Sequence, residues 1–257
     1  MRQAALLFLQ LVMLPLAVAA QEPAPVPPIT EEDRRAAFPD VHGHTVHDGV
    51  MQYQVLFDQL EWQFIHGVHG LRWDSRSWFG GDRNRLWVRS EGEALDGIVD
   101  TAEAQVLFGR SIAPWWDLVA GVGFDVRPGP AHMWLAAGIQ GLAPQWFDVQ
   151  ATGFVGPSGH TAARFEIETD LLLTNRLILQ PLVELSVIGK GDPERGIARG
   201  LSTGEVGFRL RYEITREIAP YSGVVWHRKL FGTGDIARER GQDLGGWHVV
   251  AGLRTWF

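Results

Sequence analysis

The chain closes on "GGWHVVAGLRTWF" (245–257), and the reading of this stretch decides the fold. Trp247, Val249, Ala251, Leu253, Thr255 and Phe257 share one parity, whereas His248, Val250, Gly252, Arg254 and Trp256 share the other. Successive side chains of a strand point to opposite faces, so the segment predicts a strand with one almost continuous apolar face and one mixed, partly charged face. Domains surrounded by water usually finish in a polar, fraying end. A last strand that stops on an aromatic residue fits a wall whose apolar side meets lipid.

The same period of two recurs upstream. In "WWDLVAGVGFDVRP" (115–128), Leu118, Ala120, Val122, Phe124 and Val126 oppose Asp117, Val119, Gly121, Gly123, Asp125 and Arg127. In "RFEIETDLLL" (164–173), Phe165, Ile167, Thr169 and Leu171 oppose Arg164, Glu166, Glu168 and Asp170. In "EVGFRLRYEIT" (205–215), Phe208, Leu210, Tyr212 and Ile214 oppose Arg209, Arg211 and Glu213. A small water-soluble barrel would need its apolar rows inside; ionised rows of both signs mixed with glycine suit apolar-out, polar-in strands around a polar lumen.

Counting back from Phe257 predicts twelve strands: 51–64, 67–78, 83–93, 97–110, 115–127, 131–142, 145–155, 161–173, 176–190, 201–215, 218–231 and 246–257. An even number is what a bacterial outer-membrane barrel requires. The connections alternate as such barrels demand. "FGGD", "SIAPW", "LAPQ", "TN" and "EIAP" are tight and assigned to the periplasm, while "GKGDPERGIARG" and "FGTGDIARERGQDLGG" are long, polar and assigned to the outside. The predicted class is all-β, a transmembrane antiparallel β-barrel with a flexible N-terminal lead-in. A secreted β-sandwich also alternates, but it leaves the charged faces unexplained.

"MRQAALLFLQLVMLPLAVAA" (1–20) has Arg2, an apolar run and small residues before Gln21, the pattern of a cleaved secretory signal. Residues 21–49, with Pro23, Pro25, Pro27 and Pro28, then "EEDRR" and "HGHTVHD", read as an extended, solvated segment; the barrel occupies 50–257. Beyond the signal, no apolar run approaches the roughly 20 residues of a spanning helix. Eleven tryptophans against three tyrosines favour large interfacial anchors, and Trp115, Trp116, Trp146, Trp226 and Trp247 fall near strand ends, where such belts lie. The net charge of −7 argues against nucleic acid as a partner. The absence of cysteine removes disulfides, thiolate catalysis and cysteine-type zinc sites.

The runs "SWFGGDRNRLWVRSEGE" (77–93), "GIQGLAPQWFDVQATGFVG" (138–156), "DLLLTNRLILQP" (170–181), "GLSTGEVGFRLRYEITREIAPYSGVVW" (200–226) and "VAGLRTWF" (250–257) resemble the copper resistance protein B family of bacterial outer membranes. The resemblance runs from about Glu61 to Phe257. It implies an outer-membrane barrel of Gram-negative copper resistance and homeostasis that binds copper ions or helps move them across that membrane. Outer-membrane lipid would surround it, and periplasmic copper-resistance proteins would be its partners. A generic small porin is the alternative from the transport class. Family members commonly carry an extension dense in Met and His, whereas only Met51 and Met133 lie beyond the signal here. Imidazoles suit Cu(II) and thioethers suit Cu(I), so the expected copper ion is Cu(II).

Three imidazoles within six positions, His42, His44 and His47, are the first candidate metal ligands, with Asp40 and Asp48 beside them. His66, His69, His132 and His160, together with His227 and His248, fall in or near the outer loops of the twelve-strand count and form a candidate metal-binding rim. Inside, Glu91, Glu93, Glu103, Asp117, Asp125, Glu166, Glu168 and Asp170 face Arg89, Arg164, Arg209, Arg211 and Arg254. Glu166, Glu168, Asp170, Arg209, Arg211 and Glu213 are the core of the expected charge network, whose acidic excess favours cations. Ser158 two residues before His160 in "GPSGH" (156–160) is a common turn pairing, and the chain is not expected to be an enzyme.

Overall fold

A computed structural model describes residues 28–37, 50–65, 68–127 and 131–257. Its strands are β1 (Gln52–Ile65), β2 (Val68–Gly80), β3 (Asn84–Leu95), β4 (Ile98–Ala113), β5 (Trp116–Arg127), β6 (His132–Ala143) and β7 (Phe147–Val155), then β8 (Thr161–Thr169) and the two-residue β9 (Leu171–Leu172), and finally β10 (Leu177–Ile188), β11 (Gly200–Tyr212), β12 (Ile218–Lys229) and β13 (Gly245–Trp256). Each main strand is antiparallel to its neighbours in sequence, and β13 pairs with β1, so the sheet closes on itself. β9 continues β8 beyond Asp170 along β10, which leaves twelve staves in the ring. Closure satisfies every wall's backbone groups without an edge, the condition for a sheet to stand in lipid. The predicted boundaries hold to within three residues, the largest shifts being Ala113 against 110 and Tyr212 against 215.

The terminal strand behaves as its alternation requires. Phe64 lies opposite Val249, Trp62 opposite Ala251 and Leu60 opposite Leu253. Phe257 is stitched to the start of β1: its N–H donates to the Val55 carbonyl at 2.9 Å, and the Val55 N–H donates to its carbonyl at 3.0 Å. Ending on Phe257 thus completes the seam of the barrel.

Face assignment follows parity around the ring. On β11, Phe208 and Leu210 are 42% and 39% exposed, while Arg209 and Arg211 between them are 1% exposed. Leu118, Phe124, Phe165 and Ile167 likewise look outward. Such rows cost nothing against acyl chains, whereas the arginines are buried only because they face each other's counter-ions inside. The interior is not wholly polar. Leu107, Val119 and Ala136 form a buried cluster against Trp87 and Phe154.

Parity is interrupted within β1, and the backbone shows why. The register of β1 slips between Phe57 and Gln59 against β2, and between Phe57 and Leu60 against β13. This bulge re-aims the strand, so the adjacent Asp58 and Gln59 are both buried. At the opposite end of β2–β4, Asp96 (φ 48°) and Gly97 (φ 79°) make the two-residue turn between β3 and β4, a geometry that Asp-Gly sequences adopt readily.

Two helices among the described residues were not anticipated. α1 (Glu31–Ala37) lies within the segment expected to be extended. Thr30 caps it: its hydroxyl accepts from the Asp33 N–H at 3.1 Å and its own N–H donates to the Asp33 carboxylate at 2.9 Å. The Thr30 hydroxyl, which also donates to the Asp33 carboxylate at 2.6 Å, and the Thr30 N–H hold that carboxyl below the usual range, so the cap persists as long as the group stays ionised. α2 (Phe231–Glu239) occupies the long connection between β12 and β13. Gly232 and Gly234 disguised it as a turn. It is held by docking: the buried Thr233 hydroxyl accepts from the Ala198 N–H at 3.0 Å and lies 3.0 Å from the Ser202 hydroxyl. Arg240 reaches the Pro193 and Glu194 carbonyls, so the connections 189–199 and 230–244 form one cap at the same end of the barrel. The predicted signal, residues 1–20, lies outside the described residues.

Candidate functional site

Inward-facing ionised residues assemble into two clusters. In the first, Arg76 of β2 meets Glu168 at 2.7 Å, Asp58 at 3.1 Å, Glu166 at 3.6 Å and Asp148 at 3.8 Å, and Asp58 also accepts from Arg254 at 2.6 Å. In the second, Arg209 donates to Glu61 at 2.8 Å, and Glu205 is shared by Arg209 and Arg72. Arg72 then contacts Glu91 at 3.1 Å and Glu184 at 3.9 Å. Arg164 takes up the same two carboxylates and grips Glu103 with two bonds, at 2.7 and 2.8 Å. Charge-assisted bonds of this kind are short and directional, so they fix the lumen's cross-section as well as neutralising it.

Most of the predicted network is present. Glu166 and Glu168 sit on Arg76; Glu168 also accepts from the Gln180 amide at 2.8 Å, and Arg211 pairs with Asp170 at 2.7 Å. Glu213 lies in the turn beyond β11, where its N–H donates to the Arg176 carbonyl, and among the described residues its carboxylate joins no ion pair. Arg89 finds an amide, that of Gln140, in place of a carboxylate. Sequence reasoning missed Asp58, Glu61, Arg72, Arg76, Glu184 and Glu205. The alternation of "LRWDSRSWFG" (71–80) carries the signal for Arg72 and Arg76, whereas Asp58 is hidden by the bulge.

The described rim candidates, His69, His132, His160, His227 and His248, fall at the end of the barrel that carries the cap, but not on one surface. His69 is exposed on the outer face, 5.9 Å from the Trp62 ring and 6.0 Å from Phe64. His132 faces inward opposite Asp125, and His160, in the turn after β7, donates through Nδ1–H to the Pro157 carbonyl, 2.9 Å away. His132 and His160 line one chamber of about 180 Å³ with Asp125, Trp134, Asp192 and Arg195. His227 and His248 face the lumen on β12 and β13, and His248 Nε2 is buried without a hydrogen-bond partner. His42, His44, His47 and His66 lie outside the described residues. Among the described residues, no three His, Asp or Glu side chains are arranged to hold a metal ion. The Ser158 carbonyl accepts from Lys190 at 2.6 Å, and the His160 imidazole is engaged through Nδ1 with the Pro157 carbonyl.

The chain is 47% identical over 240 residues to Copper resistance protein B of Escherichia coli, covering 93% of this chain and 81% of that protein. It is 49% identical over 238 residues to the Copper resistance protein B homolog of Pseudomonas syringae pv. tomato, with the same shares covered. Among solved structures, the NanC porin superposes with a TM-score of 0.53 at 13% identity, over 79% of this chain and 99% of that one, a likeness of fold alone. The family model described as Copper resistance protein B precursor matches residues 51–257, the whole of the barrel. The chain therefore belongs to the copper resistance protein B family.

Proposed function

We propose that this copper-resistance barrel stands in the outer membrane of a Gram-negative cell, where it holds copper ions or helps move them across. The observation that carries this reading is the inner face. Carboxylates outnumber guanidiniums there, in a family whose named relatives serve copper resistance, and a lumen with an acidic excess draws cations and repels anions. The lumen is also narrow, crossed by ion pairs between opposite walls, which favours small ions over the solutes of a general porin.

Imidazole and carboxylate donors favour Cu(II) over Cu(I) as the ion handled. His132 and His160 in the chamber beneath the cap, with Asp125 beside them, are the proposed first contacts from one side. His42, His44 and His47 are the proposed contacts in the lead-in, close to periplasmic copper-resistance proteins. The barrel is read as non-enzymatic; a phospholipase assay with calcium tests that point, and turnover above a lipid blank would refute it. The functional reading is tested by deleting the gene and fractionating the complemented strain. The full-length protein should be recovered with outer-membrane markers, and copper tolerance should fall on deletion and return on complementation. Unchanged tolerance, with the protein in a soluble fraction, would reject it.

A further inference from the structure

Two chambers of the lumen share a wall. The larger, of about 180 Å³, lies beneath the cap, and the smaller, of about 40 Å³, is bounded by Asp74, Arg76, Arg89, Gln105 and Glu166 among others. Glu103, Phe154 and Arg164 line both. Among the described residues no other arginine lines both: Arg76 and Arg89 border only the smaller chamber, and Arg209 and Arg211 border neither.

At that wall one guanidinium meets carboxylates from three separate strands. Arg164 of β8 contacts Glu91 of β3 at 2.9 Å, Glu103 of β4 at 2.7 Å and Glu184 of β10 at 3.5 Å. Arg72 shares Glu91 and Glu184, whereas among the described residues Glu103 has Arg164 alone within ion-pair distance. The surroundings keep polar capacity in reserve. Gln105, only 5% exposed, donates to Glu103 at 3.0 Å while its Oε1 has no partner, and Arg164 Nε has no hydrogen-bond partner either. A hydrated ion fits the larger chamber, whereas 40 Å³ holds only about three waters, so an ion entering the smaller one must exchange water for protein oxygens at this wall.

We infer that Arg164 is the selectivity barrier of the lumen: a tethered cation occupying the constriction between the two chambers, whose place on Glu103, Glu91 and Glu184 a passing metal cation takes in transit. The flexible stem of arginine allows the head to swing aside without moving β8, and the three carboxylates supply the oxygens that a divalent cation needs as it sheds water. An anion finds the same carboxylates repulsive. The inference rests on the proposed reading of the lumen as a cation path.

The absence of native cysteine makes the test direct. Full-length parent, Arg164→Cys and Arg176→Cys are reconstituted in planar bilayers, with folding checked by heat-modifiable migration. Arg176 is exposed in the turn between β9 and β10 and borders neither chamber. The barrier predicts that Arg164→Cys raises potassium conductance and cation preference several-fold, that a positively charged methanethiosulfonate returns both toward the parent values, and that a neutral reagent does not. Arg176→Cys should stay near the parent. Should Arg164→Cys fail to fold, Glu103→Gln, which keeps the arginine but removes its two-bond grip, should give an intermediate rise. Parent-like conductance in the folded Arg164 variant, or a response blind to reagent charge, overturns the inference. If potassium conductance rises while Cu(II) is neither passed nor retained, the barrier stands and the copper reading falls.

Discussion

Arg76 on β2 and Glu168 on β8 stand six staves apart in a ring of twelve, and their side chains meet at 2.7 Å across the lumen. Directly opposite walls are thereby tied together. The same guanidinium holds Asp58, which in turn holds Arg254 on β13, so one arginine braces three parts of the circumference.

Removing that brace leaves Asp58, Glu166 and Glu168 facing one another with too little positive charge. Arg76→Gln is expected to lower the unfolding free energy in lipid vesicles by about 3–5 kcal/mol, the usual cost of stranding buried partners. Glu168→Gln keeps a hydrogen-bonding group of the same shape and should cost about 1–2 kcal/mol. Denaturant titrations followed by tryptophan fluorescence measure both, and equal, small effects would mean that water already screens the cluster.

The outward rows make a separate prediction. Val224, near the middle of β12 and opposite Phe208, faces away from the lumen. Val224→Arg should cost about 2–4 kcal/mol, as a cation does on the lipid face near the bilayer midplane, whereas Val224→Leu should change little. Insertion efficiency and unfolding in vesicles report the difference; a tolerated arginine would place this row in water.

How far these features were legible in the sequence depends on which coordinate they need. Parity alone assigns a residue to a face, and that was enough for Phe208 against Arg209 and for Val249 against Val250. It says nothing of angular position around the ring, so the partnership of Arg76 with Glu168, or of Arg72 with Glu205, could not be read from residues 92 and 133 positions apart. Asp58 was lost because a bulge breaks the period where it sits. α2 was lost because its nine residues are stabilised by docking on Ala198 and Ser202, a tertiary contact that leaves no local pattern.

The cap should loosen without the barrel. Thr233→Ala removes the acceptor for the Ala198 N–H, which lies between Arg195 and Arg199, two sites of tryptic cleavage. Trypsin added to intact cells or vesicles should cut the 189–199 connection several times faster in the variant, with the unfolding midpoint of the barrel nearly unchanged. Identical digestion rates would show that α2 is not what protects this connection.

The lead-in imidazoles give a pH-dependent signature. A full-length variant carrying His42→Ala, His44→Ala and His47→Ala should bind fewer Cu(II) ions per chain than the parent at neutral pH. Imidazole ligates only when neutral, so the difference is present above its ordinary pKa and should vanish as the pH falls below about 6. Equal stoichiometry for parent and variant at pH 7, by metal analysis after gel filtration, would remove these residues from the copper account.

Vesicles containing the purified full-length barrel and an entrapped copper-sensitive dye show whether a narrow, acid-rich lumen handles copper ions. Cu(II) should be retained by the protein or enter faster than in protein-free vesicles, while a disaccharide of porin size is excluded. Copper behaviour indistinguishable from that of empty vesicles, or free passage of the sugar, would rule this out.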